Sequence, residues 1–133
     1  MIPRYLYRGV SRTRYEKTRG LLIPKLYVSP VHVKCDDGTT SVVDPRHGLA
    51  TTPHQARAEF YALGCALGCG PRRSGVVFVI DRTKFLEYGV SAYSLCDSAV
   101  FSWAIIDEVV ILACQSWRVI PEEVIVRRYD HST

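Results

Sequence analysis

The chain has 133 residues and a formal net charge of +4; 47% of its residues are hydrophobic and 23% are charged. That balance excludes a disordered polymer and predicts one domain over residues 1–133, burying roughly two-thirds of its unfolded surface without a disulfide or metal staple. No run approaches the roughly 18 apolar residues of a membrane helix, and MIPRYLYRG lacks the apolar core of a signal peptide. A soluble protein with no membrane partner is expected, either cytoplasmic or delivered into a target-cell cytosol. The five cysteines are an odd number and read as reduced thiols.

Tyr5 to Val10 is short, aromatic and alternating, the pattern of a strand. Ser11 to Gly20 is polar and basic, a short helix or a loop closed by Gly20. Leu21 to Val28 and His32 to Lys34 read as extended, broken at Pro24 and Pro30. Asp36-Asp37-Gly38 signals a hairpin turn, with Thr39 to Val43 as its return strand. Leu49 to Thr51 is a brief strand. Thr52 then caps a helix with Pro53 at its first position, running to Gly64 or Cys69 with Ala56, Phe60, Leu63 and Leu67 on one face.

Gly75 to Ile80 is the clearest buried strand, and Asp81 to Tyr88 a short helix. Residues 89 to 102 read as loop with some strand. Trp103 to Cys114 is a second apolar strand with acids in its middle. Pro121 to Glu123 turns the chain into a last edge strand, Val124 to Arg128. Strands outnumber helices and one good helix lies between them, so the fold class is α+β.

Charge is concentrated at the start. Residues 1–25 carry Arg4, Arg8, Arg12, Arg14, Lys17, Arg19 and Lys25 against Glu16 alone. Such a segment suits an anion, whether a pyrophosphate or a nucleic-acid backbone, or is simply a solvated basic face.

Three segments together resemble the mono-ADP-ribosyltransferase fold, including its compact toxin and rifampin-modifying branches. They are Tyr7-Arg8-Gly9 on the first strand, Thr51-Thr52-Pro53 where a middle strand enters a helix, and Asp107-Glu108-Val109-Val110-Ile111 on a late strand. The resemblance implies two small, mostly antiparallel sheets with one main helix and short helices. It implies NAD as substrate and transfer of ADP-ribose to an acceptor, as in a toxin or effector, with an immunity or antitoxin protein as a further partner. On this footing the catalytic set is Glu108, Arg8 and Thr51. NAD would be held by Arg8, Gly9, Thr51 and Thr52, with Tyr61, Tyr27 or Phe60 stacked on nicotinamide. Enzymes of the family that modify arginine carry Glu or Gln two residues before the catalytic Glu. Here that residue is Ile106, which implies a different acceptor: nucleic acid, another protein side chain or a small molecule.

Other readings stand beside this one. Arg8 could instead pair with Glu59 or Asp107. His47 or His54 could serve as acid or base in a ribonuclease-like toxin. The fold could also act without catalysis, as a module binding nucleic acid or protein. Cys65 and Cys69 lack zinc-site spacing, so no metal is expected. Gly64-x3-Gly68-x-Gly70 closes a helix where a dinucleotide loop would open one.

Overall fold

In the computed structural model, residues 4–26, 31–34, 40–43, 47–63, 74–95, 110–114 and 119–132 are described. They form an α+β arrangement of two sheets and a few short helices. None of the described helices is long and apolar enough to cross a membrane.

The first sheet is built on β6 (Ser74–Asp81), whose residues from Gly75 onward are all buried. β1 (Tyr5–Ser11) and β9 (Ile125–Ser132) pair with it on either side, both antiparallel. The second sheet has six strands in the order β2 (Lys25–Leu26), β5 (His47–Thr51), β8 (Val110–Cys114), β7 (Val90–Leu95), β3 (Val31–Lys34) and β4 (Thr40–Val43). Lys34 faces Thr40 and Val31 faces Val43, so the expected hairpin forms; its turn lies outside the described residues.

Side chains alternate between faces along a strand, so β1 serves two environments. Leu6 and Val10 join Val76, Phe78 and Ile80 in the main core, together with Leu49 and Val90 from the second sheet. The opposite face of the first sheet is covered by a helix, α2 (Gln55–Ala62). Here Ala58 and Ala62 pack with Val77, flanked by Tyr7 and Tyr129.

The seating of α2 depends on two glycines. A Cβ built on Gly9 would lie 1.8 Å from the Ala58 carbonyl oxygen, and one on Gly75 would lie 1.9 Å from that of Ala62. The helix backbone therefore rests directly on the sheet, which only glycine below and alanine above permit. This corrects the expected apolar face. Ala56 is exposed and Phe60 is 49% exposed, whereas the small residues Ala58 and Ala62 are fully buried. Periodicity favours bulk, but contact at this distance selects small side chains.

The helix start also differs from expectation. Its N-cap is His54 and its first residue Gln55. Thr52 is still committed to the sheet, since it exchanges backbone hydrogen bonds with Tyr7 at 2.8 and 3.0 Å. Its hydroxyl instead accepts from the His54 backbone N–H at 3.1 Å, a turn preceding the helix. Ala62 ends α2, and residues 64–70 lie outside the described residues.

Ser11 to Gly20 resolves into α1 (Arg12–Lys17), with the Ser11 hydroxyl accepting from the Arg14 N–H. Its end is a Schellman motif: the Gly20 N–H reaches the Tyr15 carbonyl and the Arg19 N–H that of Glu16. Of residues 21–28, only Lys25 and Leu26 are in a strand among those described. After β6 a single 3₁₀ turn leads into α3 (Phe85–Tyr88), as expected for a short helix there. Residues 90–95 form a full strand where mostly loop was expected, and the last strand extends to Ser132.

Candidate functional site

Alternation places Arg8 on the core face of β1, between Leu6 and Val10 and opposite Phe78. A cation on that face breaks the apolar pattern, and such breaks concentrate at functional sites. Its guanidinium crosses to the second sheet, where Nη1 donates to the Ala50 carbonyl at 3.0 Å. The Tyr7–Thr52 bridge fixes the same crossing from the backbone. Arg8 and the Thr51–Thr52 pair are thus brought together, and the pairing of Arg8 with Glu59 does not occur. Glu59 lies on α2, accepting from the Tyr129 hydroxyl at 2.8 Å.

Thr51 and Thr52 are 5% and 4% exposed. Thr51 pairs with Val110 at the start of the described part of β8. Glu108 precedes Val110 by two positions in the chain. Glu108 itself, with Asp107 and Ile106, lies outside the described residues, as does Tyr27. The side chain of His47 is likewise outside them, while His54 is exposed at the α2 N-cap.

Arg8 opens onto a shallow depression between β1, α1 and β5. Arg8, Arg14, Thr18, Leu21, Leu22 and Leu49 line it, and its volume is about 10 Å³, space for one water. Two guanidinium groups over aliphatic walls suit an anionic group attached to an apolar or planar body.

The three strands carry a row across this face: Arg8, Phe78 and Arg128 are direct cross-strand neighbours. The Arg128 guanidinium stacks on the Phe78 ring at 5.1 Å, and Tyr15 of α1 approaches the same ring at 5.9 Å. Arg128 also donates to the Gly20 carbonyl at 3.2 Å and to both Glu122 carboxylate oxygens at 2.6 and 2.7 Å. It thereby anchors the end of α1 beside the depression. Sequence reasoning missed Arg128, because its place depends on a pairing between distant strands that no local pattern encodes. Arg14 was visible only as part of the basic segment.

Thr51 and Thr52 adjoin the Arg8 crossing without lining the depression, and Gly9 and Tyr61 are placed farther from it. Gly9 faces α2, and the space beside its Cα is filled by helix backbone. Tyr61 is half-buried on α2, edge-on to Phe60 at 5.9 Å. It does not line the depression, and its helix packs on the opposite face of the first sheet from Arg8.

That opposite face holds a separate polar chain. Gln55 Nε2 donates to the Tyr129 hydroxyl at 2.8 Å, which donates to Glu59, and His131 Nδ1 lies 3.9 Å from the same carboxylate. Burial pushes the Tyr129 phenol pKa up, and the neighbouring Glu59 adds to this against the opposing donation from Gln55. Among the described residues, no group of three His, Cys, Asp or Glu side chains is arranged to hold a metal.

No protein-family model matches the chain, and neither the curated proteins nor the solved structures contain a match.

Proposed function

We propose that the chain is an NAD-dependent mono-ADP-ribosyltransferase whose substrate cleft opens between β1 and β5. The observation that carries this reading is the Arg8 guanidinium, on the core face of the first strand and hydrogen-bonded at 3.0 Å to the residue preceding Thr51. Two of the three residues that the family pattern singles out are neighbours, although 43 positions separate Arg8 and Thr51 in the chain. The third, Glu108, stands two positions before the β8 residue that pairs with Thr51.

The chemistry assigns each a task. Loss of nicotinamide leaves positive charge on the ribose, which a carboxylate stabilises; Glu108 supplies it. Arg8 offers planar N–H donors to the pyrophosphate or ribose. The Thr51 hydroxyl orients the ribose or the carboxylate. The C–N bond to nicotinamide breaks, the ribose carbon bonds to the acceptor heteroatom, and the acceptor proton is released to solvent. With Ile106 where arginine-modifying enzymes carry Glu or Gln, the acceptor is not arginine. The depression itself has room for about one water, so the proposal requires the dinucleotide to lie over its open mouth.

The test is incubation with NAD labelled in the nicotinamide and adenylate moieties, beside separate pools of protein, RNA and DNA. Glu108→Gln should keep NAD binding and lose nicotinamide release by about 100-fold or more. Arg8→Ala should weaken NAD binding while the protein stays folded. No heat of NAD binding at millimolar ligand would refute the proposal.

A further inference from the structure

Arg4, Arg12 and Arg128 each hold a carboxylate: Asp81, Asp130 and Glu122 respectively. Arg14, Lys17 and Arg19 differ. All three are exposed on α1 and its closing turn, and none forms an ion pair among the described residues. Arg14, Lys17 and Thr18 stand at i, i+3 and i+4, so they share one helix face. Arg14 and Thr18 of that face line the depression onto which Arg8 opens.

Arg19 adds an independent observation. Its φ is +56°, the left-handed region, at the Schellman position that glycine fills most cheaply. The neighbouring Gly20, at φ +75°, is the residue type expected there. A strained cation stands where glycine would close the helix without strain, and such outliers point to function.

Leu21 and Ile23 lie beside these cations. They are 37% and 40% exposed and line the same depression. The surface therefore alternates fixed positive charge with accessible apolar area. We infer that α1 and its closing turn form a docking surface for single-stranded nucleic acid, with Arg14, Lys17 and Arg19 meeting successive phosphates and Leu21 and Ile23 receiving an unstacked base. A duplex hides its base faces and leaves the apolar part unused; a single strand offers both chemistries at once. The inference does not rest on the transferase reading, since docking requires neither NAD nor Glu108.

Fluorescence anisotropy with a short labelled single-stranded RNA, titrated between about 50 and 200 mM salt, tests it. Three phosphate contacts give a slope of log K against log salt of about −2. Arg14→Ala with Lys17→Ala should bring the slope to about −0.7. Arg19→Gly should reduce its magnitude by about 0.7 while raising the melting temperature, so that weakened binding and improved folding are read in one protein. No binding at low salt, or binding unchanged by these substitutions, overturns the inference. Displacement of the RNA by polyglutamate at equal charge concentration overturns it too, in favour of an acidic protein partner.

Discussion

Gly9→Ala isolates the contact on which the first sheet and α2 depend. The added Cβ would sit 1.8 Å from the Ala58 carbonyl oxygen and 2.8 Å from the Ala62 nitrogen. Both are backbone atoms, so no rotamer change and no truncation of the Ala58 methyl relieves the overlap. The helix must withdraw by roughly 1 Å, opening the packing around Val77, Ala58 and Ala62, at a cost of about 3 kcal/mol. A chain of 133 residues melts with an entropy of roughly 0.28 kcal/mol/K, so the melting temperature should fall by about 10 °C. Thermal unfolding followed by circular dichroism measures this. Gly89→Ala is the control: nothing lies within 4 Å of its Cβ, and only its φ of +71° opposes a side chain. It should cost about 1 kcal/mol. A Gly9→Ala protein melting within about 2 °C of the parent would refute the packing argument. If such a protein had also lost NAD affinity, the glycine would serve close approach of the ligand instead.

Asp81 is 2% exposed and receives hydrogen bonds from the Thr83 hydroxyl at 2.6 Å and the Thr83 N–H at 3.0 Å. Burial alone would raise its pKa, but the bonds from Thr83 and Arg4 outweigh it and hold the carboxyl below its ordinary value. A depressed folded pKa confers stability that is present above the unfolded value, about 3.9, and is lost as pH falls through the folded one. Urea midpoints should therefore drop on acidification below about pH 4, and Asp81→Asn should flatten that drop while costing about 1–2 kcal/mol at neutral pH. Tyr129→Phe removes the hydroxyl shared by Gln55 and Glu59 and should cost about 1 kcal/mol in urea unfolding at pH 7. In the parent protein the raised phenol pKa confers stability that is intact below the ordinary value, about 10, and is lost as pH rises through the folded one. The phenylalanine variant should show less alkaline loss.

The strands that carry their own signal were legible. Tyr5 to Val10 alternates, Gly75 to Ile80 is continuously apolar, and Thr39 to Val43 follows a turn sequence; each forms a strand where expected. What local pattern misread is set by distant partners. The 3.6-residue period placed Phe60 inside, yet the glycines of β1 and β6 decide which face of α2 meets the sheet. The Thr52-Pro53 pair has the chemistry of a helix start, but the backbone bonds from Tyr7 hold Thr52 in the sheet and delay the helix to Gln55. The site shows the same division. Arg8 and Thr51 are visible as residue types, whereas Arg128 enters only through the register of β9 against β6.

That register gives the cleft its physical logic. A cation on a core face is costly, because burial strips its hydration. Arg8 and Arg128 meet this cost with fixed acceptors at the edge of the core: Arg8 on the Ala50 carbonyl, Arg128 on the Gly20 carbonyl and Glu122. Phe78 lies between them and presents an aromatic face to Arg128. Each guanidinium also ties one wall to the first sheet, β5 through Arg8 and the end of α1 through Arg128. Arg8 thus ties down one wall of the depression and, with Arg14, supplies the positive charge that the proposed function assigns to an anion. Removing Arg8 should loosen β5 as well as weaken anion binding, so Arg8→Lys, which keeps the charge but loses the planar donor fork, separates the two effects. If binding follows charge alone, the lysine variant retains it; if the fork to Ala50 shapes the cleft, the lysine variant loses binding nearly as fully as Arg8→Ala.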